Sequence, residues 1–146
     1  MSDANKQVVR QVEEAWNSNQ LDKLDAFFAP GFVQHSGVPG RPPTLDNAKQ
    51  MHQMSMQALP DRQAEIMEMI ADDDKVAVRI RVTGTNTGGF PWLGVPANGN
   101  KVDIEWISIY TLKDGKLTEH RAIMDVMGLM QQLGVLPARE GAADRP

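Results

Sequence analysis

Apolar residues in the first thirty positions recur at helical spacing. Over residues 3–18 they stand three or four positions apart on one stripe, which predicts an amphipathic helix with Glu13 and Glu14 outside the stripe. The stripe consists of Val8, Val9, Val12, Ala15 and Trp16. A second, shorter apolar pattern over residues 21–28 favours another helix, which the Ala-Pro-Gly sequence at 29–31 ends.

The next segment predicts a strand, a loop and a longer helix. Residues 32–35 have the composition of a short strand, and residues 37–43 are rich in glycine and proline and predict a loop. Thr44 stands where its hydroxyl can accept a hydrogen bond from the first free N–H groups of a helix. That helix carries apolar residues at helical spacing as far as Leu59 and ends at Pro60.

From residue 62 onward the apolar period changes from helical to alternating. Residues 64–70 predict one strand, and residues 75–83 alternate cleanly between apolar and polar side chains. Such alternation is typical of an antiparallel strand with one buried face. Two further strands are predicted over residues 102–112 and 117–124, joined by an Asp-Gly pair that favours a hairpin turn.

Two segments complete the pattern. A last helix is predicted over residues 126–133, with Gly134 after it as the C-terminal stop. The segment 84–100 has the glycine, proline and asparagine content of a loop, yet it also contains Phe90 and Trp92. Because a fully solvated loop does not favour large aromatic side chains, this segment is predicted to form a rim or lid over a cavity.

Helices in the first half and strands in the second half indicate an α+β fold, with one curved antiparallel sheet wrapped around the N-terminal helices. Residues 1–136 are predicted to form a single domain, and the small and polar residues 137–146 a disordered tail. Ile107 and Ile109 are apolar on the strand face opposite Trp106. A strand that is apolar on both sides is buried on both sides, which predicts a homodimer through the sheet.

Composition narrows the functional classes. The 146 residues include no cysteine, which excludes disulfides, thiolate nucleophiles and thiolate metal sites. Lys and Arg number 15 against 19 Asp and Glu, and the resulting net charge of −4 argues against nucleic-acid and membrane-surface partners. No apolar leader or long apolar run occurs, so a cytoplasmic protein is predicted. Phosphate-binding, dinucleotide-binding and zinc-protease motifs are absent, and neither a cofactor nor a metal is predicted.

A series of short motifs runs along nearly the whole chain. The motifs include Asn5-Lys6, Trp16-Asn17, the run from Ala29 to His35, Pro60-Asp61, Gly84-Thr85-Asn86-Thr87-Gly88, Leu93-Gly94-Val95-Pro96, Asp114-Gly115-Lys116, and Asp125 followed by Gln132-Leu133-Gly134. In the order and spacing of these motifs, residues 5–136 resemble the SnoaL-like polyketide cyclases, also called ester cyclases, of the nuclear-transport-factor-like superfamily.

The resemblance implies a cone of helices and sheet around an apolar cavity. It also implies that an aspartate at the end of the last strand, matched by Asp125, acts as general acid and base in an aldol ring closure without metal or cofactor. A histidine matched by His35 lies at the pocket in that family. The chain departs from the pattern where the cyclases carry polar groups on the penultimate strand, since it has Trp106 there, and at Arg121, where relatives often have tryptophan.

Asp125 has two interpretations from the residues alone. An aspartate enclosed by apolar surroundings can accept and donate protons near neutral pH, as enolisation and aldol chemistry require. Alternatively, an aspartate directly before Val126 is well placed to cap the last helix. On an extended strand Arg121 shares the face of Asp125 and would favour its carboxylate form, which suits water activation or anion binding.

The predicted pocket takes a small hydrophobic molecule. Its walls are assigned to Phe90, Trp92, Trp106, Tyr110, Arg121, Met51 and His52, with Asp125 and His35 as the catalytic pair. Trp106 and Tyr110 share one strand face and are either core or pocket wall. The favoured function is cofactor-independent acid/base chemistry on a small carbonyl compound. The alternatives are epoxide hydrolysis by activated water and a non-catalytic binding or dimerisation module.

Overall fold

The computed structural model describes residues 2–35 and 40–137. The helices are α1 (Ser2–Asn17), α2 (Leu45–Ala58) and α3 (Val126–Gln132), and the strands are β1 (Phe28–Gln34), β2 (Gln63–Asp72), β3 (Lys75–Thr85), β4 (Lys101–Lys113) and β5 (Lys116–Met124). Two short 3-10 helices, Leu21–Ala26 and Pro91–Leu93, lie in the connections. None of the described helices is long and apolar enough to cross a membrane. Beyond Pro137, the predicted tail lies outside the described residues.

The five strands form one sheet in the order β1-β5-β4-β3-β2. Strands β2 to β5 pair antiparallel with their chain neighbours, as predicted. In the turn between β4 and β5, Asp114 and Gly115 both have positive φ, 51° and 76°, which is the hairpin geometry that an Asp-Gly pair favours. Strand β1 adds one parallel pairing with β5, so the sheet is mixed. The predicted α+β class is confirmed.

Strand β1 begins earlier than the pattern predicts. The apolar spacing predicts a helix over residues 21–28, but that helix ends at Ala26 and the strand begins at Phe28. Pro30 therefore lies inside the strand, within the stretch where the register with β5 is irregular. A proline is accommodated there because β1 is an edge strand, which hydrogen-bonds to a neighbour on one side only.

The helices cover one face of the sheet. Helix α1 buries Val9, Val12 and Ala15 and packs against β2 and β3. The facing side chains of β3 are at most 2% exposed, and they are Val76, Val78, Ile80 and Val82. Each such side chain stabilises the fold by about 1.5–3 kcal/mol relative to an exposed position. The alternating apolar pattern thus determines which face of the sheet meets the helices.

The opposite face of the sheet, the outer face, carries exposed isoleucines. Ile70, Ile107, Ile109 and Ile123 are 61%, 51%, 40% and 83% exposed. Ile107 and Ile123 are direct partners across β4 and β5. Arg79 lies next to them and pairs with glutamates on β2 and β4. Strand β4 is therefore apolar on both faces, as the sequence indicates.

Asparagine side chains hold the connection between β3 and β4 in place. Asn86 is fully buried, and its Nδ2 donates to the carbonyl oxygen of Pro96 and to Oδ1 of Asn98, both at 3.0 Å. Its Oδ1 accepts from the backbone N–H of Gly89 at 2.9 Å. One buried side chain therefore supplies three of the hydrogen bonds that hold this irregular segment in place of strand pairing.

The same connection is also fastened to the end of α3. Nδ2 of Asn98 donates to the carbonyl oxygen of Leu133 at 3.0 Å, and Nδ2 of Asn100 donates to that of Gln132 at 3.1 Å. Carbonyl groups in the last turn of a helix have no partner within the helix. The two asparagines supply these missing donors, so residues 86–100 and α3 are joined by side-chain hydrogen bonds.

Candidate functional site

Polar side chains from six parts of the chain meet between the helices and the sheet. They form the interior cluster, which consists of Glu13, Gln34, His52, Arg62, Ser108, Tyr110 and His120. The alternation of β4 turns Trp106, Ser108 and Tyr110 toward the helices, and His120 on β5 lies directly across from Tyr110. Ionisable groups are rarely placed inside a domain without a chemical use, so this cluster is the candidate site.

Glu13 is the acid of the interior cluster. It points from α1 toward β4, where its Oε1 accepts a hydrogen bond of 2.5 Å from the hydroxyl of Tyr110. Desolvation of the carboxyl raises the pKa of Glu13 from 4.5 to about 7, against the opposing effects of the Tyr110 hydrogen bond and the charge of Arg62. Near neutral pH this carboxyl can therefore accept a proton and return it.

His120 is held as a neutral base by its neighbours. Its ring stacks on Tyr110 at 4.5 Å, and its Nδ1 and Nε2 lie 2.8 Å from Oε1 of Gln34 and 2.9 Å from Oγ of Ser108. Because a carbonyl oxygen only accepts, Nδ1 carries the hydrogen and Nε2 accepts from the serine hydroxyl. Burial lowers the pKa of His120 to about 4, which keeps the ring uncharged at neutral pH.

Arg62 and His52 bring unpartnered polar atoms to the interior. Arg62 follows the turn after α2 and is 6% exposed, with Cζ 5.6 Å from the ring centre of Trp106. His52 is 9% exposed, and its ring lies 5.0 Å from that of Trp16. Within the described residues, Nε and Nη1 of Arg62 and Nε2 of His52 have no hydrogen-bond partner. Burial and the positive charge of Arg62 lower the pKa of His52 to about 4.

The geometry suits proton transfer beside an apolar wall. A buried donor or acceptor without a partner costs about 1–3 kcal/mol, so such groups are rare unless a ligand or water completes them. The unpartnered atoms of Arg62 and His52 and the Glu13 carboxyl belong to the same interior, next to the indole rings of Trp16 and Trp106. The interior cluster thus combines a carboxyl that titrates near pH 7 with free hydrogen-bonding groups and aromatic surface.

Comparison with known proteins identifies the family. A family model of SnoaL-like polyketide cyclases matches residues 6–133, from α1 through α3. The chain belongs to the SnoaL-like polyketide cyclase family. The resemblance inferred from the sequence motifs is confirmed, and the interior cluster lies within the matched region.

Relatives of this SnoaL-like chain include an ester cyclase. The present chain is 25% identical over 132 residues to aklanonic acid methyl ester cyclase DnrD of Streptomyces peucetius, and the match covers 87% of this chain and 88% of the relative. Its structure is similar to that of AclR of Streptomyces galilaeus, a candidate hydroxylase, with a TM-score of 0.85, 26% identity and coverage of 98% and 88%. TsrD of Streptomyces laurentii matches with a TM-score of 0.77, 25% identity and coverage of 89% and 97%.

Asp125, which the family resemblance implies is the acid/base residue, lies at the exposed start of α3. Its Oδ1 accepts from the backbone N–H of Gly128 at 2.9 Å, so the structure shows the helix cap that the sequence also allowed. A Cβ at position 128 would lie 2.2 Å from the Asp125 carboxylate. Glycine at this position therefore leaves room for the cap, and a chemical role for Asp125 stays a prediction.

The structure does not bring His35 and Arg121 into the interior cluster. His35 is exposed at the end of β1, with Nε2 3.4 Å from Oε1 of Glu119. Arg121 shares a strand face with Ile123, as alternation predicts. This is the outer face of the sheet, because His120 belongs to the row of β5 that points inward. Placement of Arg121 on the pocket side is therefore corrected.

The remaining predicted pocket residues divide between the interior and other places. Tyr110 and His52 are buried in the interior cluster, and Trp106 lies beside Arg62. Phe90 is buried in the main hydrophobic core, Trp92 is 40% exposed, and Met51 is partly buried on α2. Contact of any of these residues with a substrate stays a prediction.

The sequence patterns do not indicate Glu13, Arg62 or His120 as site residues. The apolar stripe predicts that Glu13 lies on the polar side of α1, but Glu13 stands four residues after the buried Val9 and is therefore its neighbour on the helix surface. On an extended strand, His120 faces away from the side that Arg121 and Asp125 share, so alternation around Asp125 does not point to it. Arg62 lies between the turn after α2 and the start of β2, where neither helical nor strand periodicity indicates the direction of a side chain.

The two histidines of the interior cluster, His52 and His120, predict a loss of stability in acid. The pKa values of His52 and His120 are lowered from 6.5 to about 4 in the fold, so the unfolded chain binds more protons between these values. Each histidine therefore removes on the order of 3 kcal/mol from the free energy of unfolding as pH falls through this window. The raised pKa of Glu13 has the opposite effect, because it increases the free energy of unfolding as pH falls from about 7 to 4.5. This gain offsets the loss from one of the two histidines.

This pH dependence is measurable by urea unfolding between pH 4 and pH 7. His120→Gln keeps groups that can donate to Gln34 and accept from Ser108. It is expected to reduce the slope of the free energy of unfolding against pH by the contribution of about one proton. His35→Gln, which removes an exposed histidine, is the matched control. An equal slope in wild type and His120→Gln would show that His120 is not held neutral by the fold.

The cap at Asp125 gives a separate prediction for stability. Asp125→Ala is expected to lower the free energy of unfolding by about 1 kcal/mol, because it removes the acceptor for the Gly128 N–H group. Asp125→Asn keeps an acceptor oxygen at the same place and is expected to leave stability nearly unchanged. Thermal unfolding of both variants checks this, and equal losses would mean that the charge rather than the cap stabilises α3.

Proposed function

We propose that this chain is a cofactor-independent enzyme that transfers protons on a small hydrophobic carbonyl compound, with Glu13 as general acid and base. The observation that carries the proposal is the Glu13 carboxyl, whose pKa burial raises to about 7 within reach of the Tyr110 hydroxyl. A carboxyl with a pKa near the working pH combines the correct protonation state with a useful driving force. The ester cyclase activity named for DnrD fits this class of chemistry.

The proposed reaction begins with enolisation. The Glu13 carboxylate removes a proton from the carbon next to the substrate carbonyl, which leaves an enolate and a neutral Glu13 acid. In an aldol closure the enolate carbon attacks a second carbonyl carbon, and Glu13 returns the proton to the new alkoxide. The proton and the negative charge are conserved, so no oxidant or reductant takes part. Tyr110 supports the carboxylate form of Glu13 by its hydrogen bond.

A second candidate function is activation of water for hydrolysis, as in epoxide hydrolases. The joint presence of Glu13, Arg62 and Tyr110 in the interior favours it, because a carboxylate can take a proton from water while cationic and phenolic groups polarise the substrate. A non-catalytic carrier would also use a hydrophobic interior with free polar groups. Neither water activation nor a carrier function requires proton exchange at the carbon next to a carbonyl group, so this exchange distinguishes both from the proposed enolisation.

The test is hydrogen–deuterium exchange at the carbon next to a carbonyl group. Wild-type protein is incubated in D2O with 2-tetralone and 1-tetralone, and loss of the proton signal is followed by NMR across pH 5 to 9. We expect exchange above the buffer rate, rising with pH and reaching half of its maximum near pH 7, where Glu13 changes its protonation state.

Binding without exchange would overturn the proposed enolisation. Ketones that bind, as measured by quenching of tryptophan fluorescence, but do not exchange would favour a carrier. Hydrolysis of styrene oxide without ketone exchange would favour water activation. A half-maximal rate far from pH 7 would remove Glu13 from the acid/base role even if exchange occurs.

We also propose that the chain forms a homodimer through the outer face. Ile107, Ile109 and Ile123 form a contiguous exposed apolar row across β4 and β5, with the ion pairs of Arg79 beside it. Contiguous apolar patches on a sheet are uncommon in monomers and typical of interfaces. The interior cluster lies on the opposite side of the sheet, so the dimer would leave it in place.

The dimer is tested by sedimentation velocity at micromolar concentration. Ile107→Glu places a charge at the centre of the row and is expected to convert a dimer of about twice the chain mass into monomers. Gln50→Glu adds the same charge on exposed α2 and is the control. A monomeric wild-type protein, or a dimer that persists in Ile107→Glu, would contradict the assignment of this face.

A further inference from the structure

Arg62 is a buried cation that forms no salt bridge within the described residues, although the charge of Glu13 favours its protonated form. Its side chain is 6% exposed and rests against Trp106. Nε and Nη1 also lack hydrogen-bond partners within residues 2–35 and 40–137. A buried charge in this state is strongly unfavourable unless a group of opposite charge completes it.

The titratable groups of the interior cluster do not neutralise Arg62 below neutral pH. Glu13 on α1 and His52 on α2 interact with its charge, and Tyr110 on β4 and His120 on β5 are the other titratable groups of the interior cluster. Burial raises the pKa of both Glu13 and Tyr110 and lowers the pKa of both histidines, so each group favours its uncharged form. Within the described residues, the interior cluster therefore carries a net positive charge while Glu13 is protonated, and this charge is cancelled as Glu13 ionises around pH 7.

We infer that Arg62, with His52 beside it, forms a subsite for a carboxylate group of the substrate. The guanidinium supplies free N–H donors and the charge, and the indole of Trp106 supplies apolar surface for the adjoining carbon framework. The proposal extends the function proposed for Glu13 by naming the substrate class, a hydrophobic carbonyl compound that is also a free acid. It distinguishes this chain from a relative that is named for a methyl ester.

The inference is tested with two probes of the same shape and different charge, 2-naphthoate and 2-naphthamide. Binding is measured at pH 6.5 by tryptophan fluorescence and by calorimetry on wild type, Arg62→Met and Arg10→Met. We expect wild type to bind the acid about 10- to 100-fold more tightly than the amide. Arg62→Met is expected to lose this preference while keeping its affinity for the amide, which also shows that the variant is folded.

Several outcomes would overturn the subsite. They are the absence of naphthoate binding to wild type, equal affinity for acid and amide, and an acid preference that persists in Arg62→Met. Arg10→Met removes an exposed arginine of α1, and a matching loss in that variant would indicate only long-range attraction by surface charge. We expect the preference to decline above pH 7 as Glu13 ionises.

Failure of this subsite and failure of the proposed function are distinguishable. Glu13→Gln is expected to keep the preference for naphthoate, because its amide is uncharged and Arg62 is intact. If wild type shows no ketone exchange but an Arg62-dependent preference for the acid, the carboxylate subsite stands and the proposed catalysis fails. If ketones exchange and the acid shows no preference, the catalysis stands and the subsite fails.

Discussion

Glu13→Gln is expected to reduce the rate of proton exchange by about 10²–10⁴-fold, the usual contribution of a positioned general acid or base. The glutamine side chain has the same shape, and its carbonyl oxygen can still accept from the Tyr110 hydroxyl. It cannot accept a proton from a carbon atom. The measurement is the exchange rate of 2-tetralone in D2O at pH 7 and pH 8.

Two controls separate the chemistry of Glu13 from damage to the fold. Glu14→Gln changes the exposed neighbour on α1 and is expected to keep the wild-type rate. The melting temperature of Glu13→Gln at pH 8 is expected to equal or exceed that of wild type, because the raised pKa of Glu13 destabilises the fold above pH 4.5. A wild-type rate in Glu13→Gln together with a lost rate in Asp125→Asn would transfer the role to Asp125.

Asn86→Ala is expected to lower the free energy of unfolding by about 3–5 kcal/mol. The asparagine is fully buried and satisfies the Gly89 N–H group, the Pro96 carbonyl and the Asn98 amide oxygen. Alanine leaves the buried Gly89 N–H group without its acceptor, removes two further hydrogen bonds, and leaves a cavity at a fully buried position. Urea unfolding followed by circular dichroism measures the loss.

The contrasting substitution is Asn5→Ala. Asn5 donates one exposed hydrogen bond of 3.3 Å to the Asp73 carbonyl, so its removal is expected to change stability by less than about 0.5 kcal/mol. A comparable small effect for Asn86→Ala would mean that the connection between β3 and β4 reorganises and finds other partners.

Local patterns predicted most of the secondary structure because local forces determine it. The alternating valines of β3 can be buried together only on one face of a strand, and Thr44 accepts from the Asn47 N–H group as its position predicts. The Asp-Gly turn requires positive φ at both residues, which Asp114 and Gly115 adopt. Each of these features is settled within a few residues of sequence.

The features that the sequence did not predict depend on distant parts of the chain. The parallel pairing of β1 joins Val33 to Glu119, which are far apart in sequence and share no local signal. The orientation of β5 is similar, since alternation states only that Arg121 and His120 face opposite ways. Which of them faces inward is decided by pairing with Tyr110 on β4.

The candidate site was the least predictable part for the same reason. The residue type and position of Trp106, Tyr110 and His52 are enough to predict them as pocket residues. Glu13 and Arg62 could not, because buried charges run against the general preference for exposure and their burial results from assembly of α1, α2 and the sheet.

The hydrogen bonds from Asn98 and Asn100 to the end of α3 couple the stability of α3 to that of residues 86–100. The side chain of Gln132 adds two bonds to the backbone of Asp103, at 2.7 and 2.9 Å. A short helix of this kind would ordinarily fray from its C-terminal end. Its amide protons should instead lose protection from solvent exchange together with those of residues 86–100, as one cooperative opening unit at the end of the sheet.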